Sequence, residues 1–173
     1  KGHLHALCIT ALGYQSGQSI SFFQGHASVD PWQRSRRVGI RADLTHKHLM
    51  ASSALPALFP AVRINREYFG DGAMRQTAPM SAALHLGAEK LLVVGVSGNR
   101  KNGRGDPGRL VNYSRSLAQI FAQLLNSAFI DAMEEDIDMM QRFNHFIKEL
   151  NEEKQRKMRV RPVEVLVIEP SMR

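Results

Sequence analysis

The chain begins with an apolar run, "HLHALCITALGY", turns at "QSGQ", and continues through "SISFFQG", where apolar and polar positions alternate. This pattern predicts a β-hairpin from about Leu4 to Gln24. "VDPWQRSRR" offers Asp30 as a helix cap and Pro31 as a first helical residue, so a helix start is expected there. A short helix is expected from about Thr45 in "LTHKHLMASSALPALFPAV", interrupted by Pro56 and Pro60. "VRINREYF" reads as a second hairpin with Asn65-Arg66 at its tip, Asn being tolerant of positive φ. "PMSAALHLGA" predicts a helix with Pro79 in its first turn and Gly87 as its C-terminal cap. "EKLLVVGVS" is continuously apolar, as a strand buried on both faces of a parallel sheet would be.

After the glycine-rich "GNRKNGRGDPGR", apolar residues from Leu117 to Phe129 and from Phe143 to Leu150 recur at helical spacing. They predict helical structure from about Leu110 to Glu153, and "VEVLVIEPS" predicts a final strand. Strands alternating with helices argue for an α/β sandwich with helices on the sheet faces.

Composition narrows the class. At 173 residues, 43% hydrophobic and 23% charged, the chain is one ordinary globular domain. No apolar run reaches the length of a membrane span. The single cysteine, Cys8, excludes an internal disulfide framework and reads as a small buried hydrophobe. It is compatible with a cytoplasmic location. The net charge of +7 sits largely in three runs, around Arg34–Arg41, Arg100–Arg109 and Lys154–Arg161. These suit a solvated surface or contact with anionic lipid. Aromatic residues are not interleaved with them, so nucleic acid is not expected as a partner. The Arg104-Gly105-Asp106 tripeptide is too short a match to carry an adhesion function.

The candidate chemistry lies in "REYFGDGAMRQTAP". Asp71 stands between Gly70 and Gly72, followed by Ala73, at the end of an expected strand. The glycines would let the backbone turn and keep bulk away from the carboxylate. A carboxylate at a sheet edge can accept a proton, orient a base, or bind a metal; it can also simply close an Asp-Gly turn. Other residues carry less. Ser52 and Ser53 have no neighbouring base and suit packing or capping. His46 and His48 lie two apart, on different sides of a helix. With His85, they show no metal-ligand spacing, so neither metal nor cofactor is expected.

The wider pattern resembles the patatin-like phospholipase family. Ala51-Ser52-Ser53-Ala54-Leu55-Pro56 with Phe59-Pro60, then Asp71-Gly72-Ala73, then Pro79 and Leu86-Gly87-Ala88 follow that family's motif order. The opening hairpin and the helical stretch after Leu117 are also similar. The resemblance implies a three-layer α/β sandwich and a serine lipid acyl hydrolase with a Ser-Asp dyad. Asp71 would be the acid and an acyl lipid the substrate.

The nucleophile's G-x-S-x-G elbow is absent from the chain. "GVSGN" comes nearest, but Asn99 replaces the second glycine, so Ser97 is not expected to be a nucleophile. In the family the serine precedes the acid by a long interval. The chain is therefore expected to be the C-terminal part, residues 1–173, of one patatin-like catalytic domain, with a helical extension over about 110–153. It would lack the strands that bear the nucleophile and would be inactive alone. At about 25 cal/mol per Å² of apolar area, leaving several hundred Å² uncovered forgoes on the order of ten kcal/mol. Homo-oligomerisation, or retention of the missing half, is expected to cover that face. The alternative is a noncatalytic binding or oligomerisation module.

Overall fold

A computed structural model describes residues 3–76, 78–95, 117–158 and 161–168. The fold is mixed α/β, with one large sheet, a small second sheet and a few helices. The predicted opening hairpin is strands β1 (Ala6–Gly13) and β2 (Ser19–Gly25), paired antiparallel from Ala6↔Gly25 to Leu12↔Ser19. Gly17, at φ 62°, makes the turn between them.

The expected helix after Asp30 does not form. That stretch is instead the hairpin β3 (Trp32–Arg34) and β4 (Arg37–Arg41), with β4 running parallel to β2. The long-range ladder from Ser19↔Arg37 to Phe23↔Arg41 outweighs the local Asp-Pro signal. Trp32 fixes the hairpin: its ring stacks on Phe23 at 5.3 Å and on His85 at 4.7 Å. It lies flat over Gly39, where a Cβ would meet the indole at 2.2 Å.

Helix α1 (His46–Ser52) starts at Thr45 as predicted. The next hairpin, β5 (Val62–Ile64) and β6 (Glu67–Asp71), also matches, with Asn65 at φ 55° in its turn. Antiparallel pairing of β6 with β1, from Ala11↔Asp71 to Gly13↔Phe69, completes the strand order β3-β4-β2-β1-β6-β5. The core beneath this sheet joins Ala11, Ile20, Phe22, Ala51, Ile64 and Phe69, so α1 packs on the strands that carry Asp71.

A 3-10 turn (Gly72–Arg75) leads to α2 (Ser81–His85). Gly87 at φ 91° closes α2, with its N–H donating to Leu84 O and that of Ala88 to Ala83 O, a Schellman cap. Strand β7 (Lys90–Val94) pairs parallel with β8 (Glu164–Ile168) in the second sheet. Burial on both faces of β7, as its apolar run suggested, is not found. Leu91 packs with Met80, Met140 and Val163, whereas Leu92, Val94, Leu166 and Ile168 are more than half exposed.

Helices α3 (Leu117–Glu149) and α4 (Glu152–Met158) occupy most of the predicted helical stretch. Its first residues, 110–116, lie outside the described residues, as do the Arg104-Gly105-Asp106 tripeptide and Ser97. Asp136 of α3 accepts the N–H of Met80 at 2.9 Å, and Asn144 binds the backbone of Val163, so α3 is anchored to both α2 and the approach to β8.

Candidate active site

Asp71 is the last residue of β6, opposite Ala11 of β1. Its N–H donates to the carbonyl of Ala54 at 3.0 Å. Its Oδ1 accepts the N–H of Ala73 at 2.8 Å, capping the 3-10 turn. Among the described residues Oδ2 accepts no hydrogen bond. The carboxyl is half-buried, and burial raises its pKa above the usual value of 3.8, partly opposed by the Ala73 hydrogen bond. The arrangement is a strand-end carboxylate, fixed through one oxygen, whose basicity is increased by its surroundings.

The flanking glycines serve a purpose different from the one the sequence suggested. Neither has a positive φ, so neither supplies an unusual backbone turn. Each instead admits a close neighbour from the first hairpin. A Cβ on Gly70 would lie 2.0 Å from the hydroxyl of Tyr14, and one on Gly72 would lie 2.3 Å from the carbonyl oxygen of Thr10. Both glycines are buried, and Ala73 is half-buried in the turn itself. The sequence spacing gave no sign of Tyr14 and Thr10 at this site, because only the β1–β6 register brings them there.

The other candidates separate. Ser53 is exposed, and its hydroxyl donates back to Leu49 O at 3.0 Å at the end of α1, as its capping assignment anticipated. Ser52 is half-buried beside it. His46 is exposed. His48 is buried edge-on to Phe22 at 4.7 Å, with Nδ1 accepting from Thr45 N–H at 3.0 Å. His85 belongs to the Trp32 stack; burial, then the charges of Arg34 and Arg37, lower its pKa. No cluster of metal-ligating residues occurs among the described residues. Cys8 is half-buried, and burial raises its thiol pKa, which suits an unreactive side chain.

The basic runs are not uniform surfaces. Arg41 lies over the Phe23 ring and donates to the backbone carbonyls of Gly25, His26 and Val29, and Arg161 pairs with Glu89. No described helix is long and apolar enough to cross a membrane.

Residues 17–84 match the family model of patatin-like phospholipases, a segment running from the first turn into α2 with Asp71 inside it. The mixed α/β fold is compatible with this match. No curated protein and no solved structure matches the chain.

Proposed function

We propose that this chain is the acid-bearing part of a patatin-like lipid acyl hydrolase and that Asp71 is its general base. The three-layer catalytic domain would be completed by strands from outside residues 1–173, one of them carrying the serine. Asp71 would take the proton from the serine hydroxyl as that oxygen attacks the ester carbonyl, and would pass it to the leaving oxygen as the alcohol departs. It would then take a proton from water as the water attacks the acyl-enzyme, and return it to the serine oxygen as the carboxylic acid departs. With no imidazole between them, the carboxylate must approach the serine oxygen directly, at roughly 2.6–3.2 Å. The observation that carries this reading is the Asp71 carboxylate itself: Oδ1 is fixed by the Ala73 N–H, while burial makes the group a better base.

The test is Asp71→Asn in the longer protein. Ester hydrolysis should fall by at least about a thousandfold with unchanged folding, the scale expected when a nucleophile loses its activating base. Near-normal turnover would remove Asp71 from the mechanism. A fluorophosphonate should label the longer protein and leave the 173-residue chain unlabelled.

A second reading, a noncatalytic assembly module, is favoured by the exposed Leu92, Val94, Leu166 and Ile168 of the small sheet. It predicts no fluorophosphonate labelling of either form.

A further inference from the structure

We propose that Gln76 is a positioning residue for Asp71: its hydrogen bond to Ser19 fixes the far end of the 3-10 turn whose Ala73 N–H holds the carboxylate. The inference rests on the reading of Asp71 as the general base and adds a residue that acts through the turn. The turn has two ends. At the first, Asp71 Oδ1 accepts the Ala73 N–H at 2.8 Å. At the second, the backbone bond from Gln76 N–H to Ala73 O is long, 3.5 Å, so the backbone closes this end loosely. Ala73 belongs to both: its N–H meets the carboxylate and its C=O meets Gln76. The firmer hold on Gln76 comes from its side chain, whose Oε1 accepts the Ser19 hydroxyl at 3.0 Å from 57 residues away in sequence. Among the described residues this is the one side-chain hydrogen bond between the turn's far end and the large sheet.

Ser19 is a demanding anchor. It is 2% exposed at the start of β2, beside Ile20 and across the ladder from Leu12, both buried. Its own N–H donates to Arg36 O, so its main chain is fixed in the sheet. A hydroxyl buried this deeply costs free energy unless it is hydrogen-bonded. An alanine would carry no such requirement. With Gln76 seated against β2 the hydroxyl is satisfied, so the pair favours one placement of the turn over others. Ser21, two residues further along β2, makes the contrast. It too is buried, but its hydroxyl pairs with Thr10 at 3.2 Å within the sheet and ties down no neighbouring element.

The Ala73 amide proton, followed by NMR in the 173-residue chain, tests this directly. Its chemical shift should track the ionisation of Asp71 through their shared hydrogen bond. In Gln76→Met, similar in length but without the amide, that pH-dependent shift should shrink. Ala73 exchange should quicken by roughly fivefold, the scale of one hydrogen bond. Ser19→Ala should do the same, and the double variant should go no further, since one bond is lost in all three. Ser21→Ala, which removes a buried hydroxyl from the same strand, should leave Ala73 unaffected. Amides of the β1–β2 ladder should keep their wild-type protection in every variant. In the longer protein, Gln76→Met should lower kcat by about ten- to a hundredfold with KM unchanged, as misplacement of a catalytic group does.

Unchanged Ala73 exchange and titration in Gln76→Met or Ser19→Ala overturns the proposal. So does an equal response to Ser21→Ala, or a loss of protection shared by Ala73 and the β1–β2 ladder, either of which would make the pair a support of the whole fold. The NMR measurements require no turnover. A loosened Ala73 together with an active Asp71→Asn enzyme would refute the catalytic reading alone. An unaffected Ala73, or an unchanged kcat in Gln76→Met, with an Asp71-dependent enzyme would refute the positioning role alone.

Discussion

The carbonyl of Ala54 accepts the backbone N–H of Asp71 at 3.0 Å. This bond joins the turn after α1 to the end of β6, two elements separated in sequence by the β5–β6 hairpin. Asp71 is therefore held from three sides: by the β1 ladder at Ala11, by Ala54 through its own N–H, and by Ala73 through its carboxylate. The Ala-Ser-Ser-Ala-Leu-Pro stretch thus has a physical use at the site, although neither serine in it faces the carboxylate as a hydrogen-bond partner among the described residues.

The electrostatics of Asp71 give a pH-dependent stability difference. Its folded pKa lies above the unfolded value of 3.8, so the folded state retains the proton where the unfolded chain has lost it. The group's contribution is fully present below 3.8 and is lost as pH rises through the folded pKa. Asp71→Asn removes this titration while retaining an oxygen able to accept the Ala73 N–H. The melting-temperature difference, variant minus wild type, should be more positive at pH 7 than at pH 3. An equal difference at both values would show that Asp71 ionisation costs the fold nothing.

The two glycines should respond unequally to substitution. In Gly72→Ala the new methyl meets the backbone oxygen of Thr10, which cannot move without disturbing the β1 ladder. A loss of about 1–3 kcal/mol is expected, reduced slightly by the restricted unfolded chain. In Gly70→Ala the obstacle is the end of the Tyr14 side chain, which is partly exposed and can swing away. Denaturant melts should place Gly70→Ala closer to wild type, and adding Tyr14→Ala should relieve most of its remaining deficit.

His85 supplies a second titration, of opposite sense. Burial and the nearby Arg34 and Arg37 depress its folded pKa below the usual 6.5. Its contribution is present above that value and is lost as pH falls through the folded pKa. Acid should therefore loosen the Phe23–Trp32–His85 stack that links the large sheet to α2. His85→Phe keeps a ring on Trp32 without a proton to bind. Between pH 7 and pH 5 the wild type should lose more stability than this variant, and Trp32 emission should report the same difference.

Much of the site's frame was legible because its signals are local. Thr45 ahead of α1, Asn65 in the β5–β6 turn and Gly87 after α2 each set a boundary through its own backbone chemistry. Asp71 at a strand end was legible for the same reason. The misreadings came where distant partners decide. Asp30-Pro31 resembles a helix start, but pairing of β4 with β2 draws Trp32–Arg41 into the sheet. Gly70 and Gly72 resemble turn residues, yet Tyr14 and Thr10 across the sheet account for them. The apolar run of β7 suggested cover on both faces, and only the Leu91 and Val93 side has it. No local pattern encodes which element lies above or below a strand.

Asn144 offers a sharper test of how α3 is attached to the small sheet. Its Nδ2 donates to Val163 O at 2.6 Å and its Oδ1 accepts Val163 N–H at 2.8 Å, so one amide satisfies both backbone groups of a buried residue. No aliphatic side chain can replace that pair. Asn144→Ala should cost about 2–3 kcal/mol, because it leaves a donor and an acceptor unsatisfied next to the apolar cluster of Met140, Leu91 and Val163. Asn144→Asp retains the acceptor for Val163 N–H but sets a carboxylate oxygen against Val163 O, so it should also destabilise, and less so at pH 3, where a protonated carboxyl can donate. Hydrogen exchange should locate the effect: the β8 amides that face β7, Glu164 and Leu166, should lose protection in both variants, while those of β1 and β2 remain as in wild type. Loss of protection throughout the large sheet would mean that the two sheets unfold as one unit and that the clamp supports the whole fold.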